Sequence, residues 1–234
     1  MRYMWRYLLI LVAVLALWNT IIIKPLKIFT VFLHELGHAV MAFVFGNGIS
    51  GFKVGLNEGG YTLVQSKGWF SSFMIVNGGY LGSVLFALLI LYLGRTAVKN
   101  FVLGSAALIF LFVSIKFYSD IETLILAVFF ACIILLIYML RNENVTEWAI
   151  NIVGIACVAY AIYDIFIDTI LLQLNIHLRL IAGWRGQQPL TDAVQLARMT
   201  GIPAIVWGII WLFIALFAVN SVLLKGSGSS RSRR

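Results

Sequence analysis

Seven apolar runs separated by short polar connections dominate the chain and leave it few ways to fold. They cover residues 7–23, 29–45, 69–93, 101–115, 121–140, 148–174 and 202–224, and charges, glycines or Pro25 bound them. In hydrocarbon the backbone must satisfy its own hydrogen bonds, and about 20 apolar residues of helix cross a core about 30 Å thick. The runs therefore predict an all-α fold, a polytopic transmembrane helical bundle of about six or seven spans. With 62% of the residues hydrophobic, residues 1–224 read as a single integral membrane domain. Residues 225–234, rich in Gly, Ser and Arg, read as a disordered basic tail able to touch anionic headgroups.

The net charge of +8 does not point to nucleic acid, because the basic residues flank apolar runs and do not gather on one polar face. Cys132 and Cys157 lie inside apolar runs and read as small packing residues. The first run has no small-residue cleavage site after it, so it is expected to be retained as a helix. If all seven runs cross, the loop after the second lies on the same side as the N-terminus. The Lys and Arg distribution then leans weakly toward a cytoplasmic N-terminus.

The second run contains His34-Glu35-Leu36-Gly37-His38, an HExxH motif. Two histidines four apart share a helix face, and neutral imidazoles are good zinc ligands. The glutamate after the first histidine is placed to take a proton from a metal-activated water. Unpartnered ionisable groups deep in a membrane helix cost roughly 2.5 kcal/mol or more each, so three within five positions favour a bound metal over a polar packing patch. A catalytic zinc also needs a third protein ligand.

Two aspartates stay open for that role. Asp164 lies in the sixth run, one turn from Asp168, at a depth compatible with His38. The same pair also suits an interhelical hydrogen-bond site, or a partner that orients a histidine. Asp192, in Pro189-Leu190-Thr191-Asp192-Ala193, precedes an amphipathic stretch, where Thr or Asp is also a common helix N-cap. Of the remaining acids, Glu58 reads as solvated, Asp120 and Glu122 as interfacial, and Glu143 and Glu147 as lying on the wrong side.

Residues 46–68 alternate apolar and polar around Gly59-Gly60 and predict a short β-hairpin after the HExxH helix. It either caps the bundle or offers an edge strand to an extended substrate.

Taken in order, His34-Glu35-Leu36-Gly37-His38-Ala39, the glycine-turn strand pair, Asn77-Gly78-Gly79-Tyr80-Leu81-Gly82-Ser83 and the late Thr191-Asp192-Ala193 resemble the site-2 protease family. These are intramembrane zinc metalloproteases, and the likeness is to the small members lacking a PDZ domain. The resemblance implies one Zn2+ ion held by His34, His38 and Asp192, with Glu35 catalytic. It also implies a zinc metalloendopeptidase that hydrolyses a peptide bond in or near a transmembrane segment of a membrane protein. The family often has LDG where this chain has Thr191-Asp192-Ala193, which keeps Asp164 as the alternative third ligand.

Asn77 matches a polar position near the family's substrate-facing helix and is the candidate substrate-binding residue, although the usual proline partner is missing. Gly78 and Gly82 read as a close helix contact. The expected partners are a membrane protein substrate and the lipid bilayer, with no nucleic acid. The expected location is integral and multi-pass, in the cell membrane if the source is bacterial. The rival class is a non-catalytic membrane protein, either a metal transporter or an inactive protease relative serving as scaffold or chaperone. A transporter is expected to spread metal-binding groups along a route, and an inactive relative to lose Glu35 or a histidine.

Overall fold

The computed structural model describes residues 2–178 and 190–223. The expected tail at 225–234 lies outside the described residues. The chain runs α1 Arg2–Ala16, α2 Lys24–Phe45, β1 Ile49–Val54, β2 Gly60–Val64, α3 Trp69–Leu93, α4 Lys99–Phe117, α5 Ile121–Met139 and α6 Glu143–Ile165. A π-helical turn, Phe166–Leu171, then leads into α7 Leu172–Leu178, followed by α8 Asp192–Thr200 and α9 Ala204–Leu223. Among the described residues six helical stretches are long and apolar enough to cross a bilayer: α2, α3, α4, α5, Glu143–Asn175 and Ala204–Val222. The protein is an integral, multi-pass membrane helical bundle carrying one small antiparallel hairpin.

Six stretches fall within the expected six or seven, and the first run is the one that does not reach spanning length. Helix α1 has 15 residues, about 22 Å at 1.5 Å per residue, short of a bilayer core. Residues 17–23 form turns, in which the Thr20 hydroxyl and amide both donate to the Leu17 carbonyl at 2.6 and 2.9 Å. A hydroxyl that bonds the local backbone competes with helix continuation.

The consequence is topological. Arg6 pairs with Glu147 at 3.1 Å and Trp18 packs edge-on against Tyr163 at 4.9 Å, so α1 runs in the same direction as α6. Helix α3 runs opposite to α6, since Gly94 abuts Ile150 while Tyr80 reaches Asp168 further along. It also runs opposite to α2, because Phe70 packs on Phe45 and Tyr80 on His34. Helices α1, α2 and α6 therefore point the same way. The chain starts at the bundle end that holds the 94–98 and 140–142 connections, and the hairpin enters from the other end.

Helices α2 and α3 touch backbone to backbone. A Cβ on Gly37 would collide with the Gly78 carbonyl, and one on Gly82 would lie 2.8 Å from Gly37 Cα. Small residues at such crossings let membrane helices approach closely. Around this contact Phe32 stacks on Phe110 at 4.1 Å and meets Phe52 edge-on at 6.1 Å, joining α2, α4 and β1 in one core.

The hairpin does not cap the bundle. Strand β1 pairs antiparallel with β2 in the register Phe52↔Thr62 and Val54↔Gly60, and Phe52 and Val54 are fully buried. Near the C-terminal end of α2, the Asn47 amide donates to Gln65 O at 2.8 Å. Thr62 reaches Glu35 in mid-helix, and the turn residue Glu58 pairs at 3.5 Å with Lys27 in the first turns of α2. The hairpin thus folds back into the bundle alongside α2.

Charges expected to be solvated or interfacial hold it there. The Leu56 amide donates to Glu122 at 2.7 Å, Lys53 pairs with Asp120, and the Ser119 amide donates to Phe52 O at 3.0 Å. Glu58 also accepts from the Tyr160 hydroxyl at 3.3 Å.

Candidate metal centre

Helical spacing places His34 and His38 on one face of α2, and α8 brings Asp192 against them. The two Nε2 atoms are 3.2 Å apart, and Asp192 Oδ2 lies 3.2 Å from the first and 3.1 Å from the second. Ligand atoms about 2.0–2.1 Å from a tetrahedral ion stand roughly 3.3 Å apart, so this triangle has the size of three vertices of such a site. Among the described residues these three form the group able to hold a metal ion.

The donor chemistry fits a cation. His38 Nδ1 lies 2.8 Å from the Ile75 carbonyl, which can only accept, so Nδ1 carries a proton and the neutral ring would present its lone pair at Nε2. That nitrogen faces a buried Asp192 oxygen 3.1 Å away. A neutral imidazole lone pair and a carboxylate oxygen at this distance repel unless a proton or a metal ion lies between them.

Space fits as well. A Cβ on Gly79 would lie 2.5 Å from each Nε2 and 2.7 Å from Asp192 Oδ2. One side of the triangle is open because residue 79 has no side chain. Sequence reasoning assigned Gly78 and Gly82 to helix packing and missed Gly79, which lies one position further round the same helix.

Asp192 is free for this role because its neighbour caps the helix. The Thr191 hydroxyl accepts from the Val194 amide at 3.4 Å, leaving Asp192 at the first helical position with its carboxylate turned to the histidines. The Trp69 indole donates to Met199 O at 3.1 Å and ties α8 to the start of α3.

Glu35 follows His34 and therefore leaves α2 in a different direction, toward β2. It is buried, and its Oε2 accepts from the Thr62 hydroxyl at 2.8 Å. Both the triangle and Glu35 border a cavity of about 460 Å³ whose wall includes Gly60, Thr62 and Val64 of β2.

Asp164 and Asp168 also line this cavity, but neither belongs to the donor triangle. Asp168, in the π-helical turn, accepts from the Tyr80 hydroxyl at 3.3 Å, and the Tyr80 ring packs edge-on against His34 at 4.7 Å. Asn77 lies elsewhere: its Oδ1 accepts from the Trp211 indole at 2.8 Å and its Nδ2 donates to Phe73 O at 2.8 Å. It ties α3 to α9 and does not line the cavity.

The model of the Peptidase M50B-like family matches residues 7–222, a span containing α2, the hairpin and Asp192. The chain belongs to the Peptidase M50B-like family. This is the site-2 protease family, whose members are peptidases and usually zinc-dependent. No curated protein and no solved structure matches the chain.

Proposed function

We propose that the protein is an intramembrane zinc endopeptidase that hydrolyses a peptide bond in or near a transmembrane segment of a membrane protein. His34, His38 and Asp192 hold one zinc ion, and Glu35 is the catalytic base. The observation that carries this reading is the triangle formed by two imidazole nitrogens and a carboxylate oxygen beside a buried glutamate, both opening on one cavity.

Zinc, when bound, supplies the positive charge that polarises the scissile carbonyl and makes water more acidic. Glu35 takes a proton from the attacking water on a carboxylate oxygen. As the carbon–nitrogen bond breaks, it delivers that proton to the leaving amine. Asp192 and His38 are buried and His34 is partly buried at the cavity wall, so the donors are largely shielded while water can still reach the site through the cavity.

Substrate geometry points to β2. The sheet has two strands, so the edge of β2 away from β1 has no partner strand among the described residues, and β2 forms part of the cavity wall. A peptide bond in a helix is shielded by its neighbours, whereas a segment unwound onto this edge would present its carbonyls in extended form. A transporter route calls for a series of metal-binding groups, but the described residues form one such group.

Glu35→Gln preserves shape and removes the base. It is expected to keep its zinc while cleavage of a membrane substrate falls by at least about 100-fold. Cleavage at the wild-type rate by that variant would refute the assignment.

A further inference from the structure

We propose that Thr62 on β2 is a positioning residue for Glu35, holding one carboxylate oxygen so that the other is free to act as base. The inference rests on the reading of Glu35 as the base. A glutamate side chain has three rotatable bonds, so a base on a rigid helix still needs its carboxylate oriented. Thr62 supplies that orientation. Its hydroxyl lies 2.8 Å from Oε2 and 3.1 Å from the Glu35 carbonyl oxygen, and the shorter contact has the usual length of an O–H···O hydrogen bond.

A second observation concerns the other oxygen. A Cβ on Gly60 would lie 3.0 Å from Oε1 and 2.9 Å from Glu35 Cγ. Residues 60 and 62 are two apart on a strand and so share a face. Position 62 grips one oxygen while position 60 clears room for the other.

Thr62 is itself fixed by the hairpin. It pairs in register with Phe52, whose carbonyl is held by the Ser119 amide, and the turn is tied to α2 through Glu58 and Lys27. The strand that borders the substrate cavity therefore also sets the aim of the base.

The test uses the full chain in detergent with Thr62→Val, which keeps shape and strand preference, and Thr62→Ser, which keeps the hydroxyl. Thr62→Val is expected to lower kcat by about 10- to 100-fold, with KM within about twofold and zinc content unchanged. Thr62→Ser is expected to stay within about threefold of wild type. A readout independent of turnover is the melting temperature of metal-free wild type, Thr62→Val, Glu35→Ala and the double variant. A bonded pair gives non-additive shifts of a few degrees.

Additive shifts, or wild-type kcat in Thr62→Val alongside an inactive Glu35→Gln, would overturn the proposal. Normal cleavage by Glu35→Gln would instead sink the reading of Glu35 as base, while the melting data would still report whether the two side chains are coupled.

Discussion

At the scale of single residues, the metal centre depends as much on a missing side chain as on the three that converge. A methyl group at position 79 would lie 2.5 Å from both histidine Nε2 atoms. If the triangle holds zinc as proposed, Gly79→Ala is therefore expected to contain much less zinc than wild type, read by elemental analysis of the purified protein. The atoms the methyl meets are side-chain ends that can turn aside when no metal holds them, so the metal-free variant should still fold and give a cooperative melting transition. Full zinc occupancy in Gly79→Ala would mean that the ion does not use this triangle. The HExxH residues were legible in the sequence because their geometry is set within one helix. The choice between Asp192 and Asp164 was not, because each lies on a helix remote in sequence from α2 and both face one cavity. Gly79 was illegible for a related reason: what a glycine makes room for lies on other helices.

At the scale of elements, the hairpin was legible as two strands because alternation and the Gly59-Gly60 turn are local signals. Its insertion beside α2 was not, because the groups that anchor it look like ordinary surface charges one at a time. The Lys53–Asp120 pair shows how such an anchor should respond to pH. The hydrogen-bonded Lys53 ammonium holds the Asp120 carboxyl below its usual range, and the same bond raises the Lys53 ammonium above its own. The Asp120 contribution is therefore fully present above its unfolded pKa of about 3.9 and is lost as pH falls through the depressed folded value. The Lys53 contribution is present below about 10.4 and is lost as pH rises through the raised one. Asp120 also caps α5 by accepting from the Thr123 amide at 3.1 Å, a role Asn can keep. Asp120→Asn should thus remove the ion pair alone. Hydrogen exchange of the 49–64 amides is the measure. In wild type their protection should drop in acid, and in Asp120→Asn that acid-dependent part should be absent. An identical acid response in both proteins would show that the pair does not anchor the hairpin.

At the scale of the whole molecule, the spans were legible because hydropathy is a local property, whereas the side on which each loop falls depends on the parity of every crossing before it. One run misread as a crossing moves every later loop to the wrong face. Here that run is the first, whose helix stops at Ala16 before the Thr20 turn. Seven crossings would put the hairpin connection on the N-terminal side. The observed arrangement, with Arg6 beside Glu147 and Tyr7 accepting from Arg95 at 3.0 Å, puts it on the opposite side. The difference is measurable with a membrane-impermeant thiol reagent on sealed vesicles of known orientation. The reporters are Ser66→Cys and Ala97→Cys, both at exposed positions, in a chain whose Cys132 and Cys157 are replaced by alanine. Ala97→Cys should react from the face that exposes an N-terminal tag, and Ser66→Cys only from the other. Reaction of Ser66→Cys from the tagged face would restore a full first crossing. It would also place the hairpin, whose β2 strand borders the cavity, on the N-terminal side of the membrane.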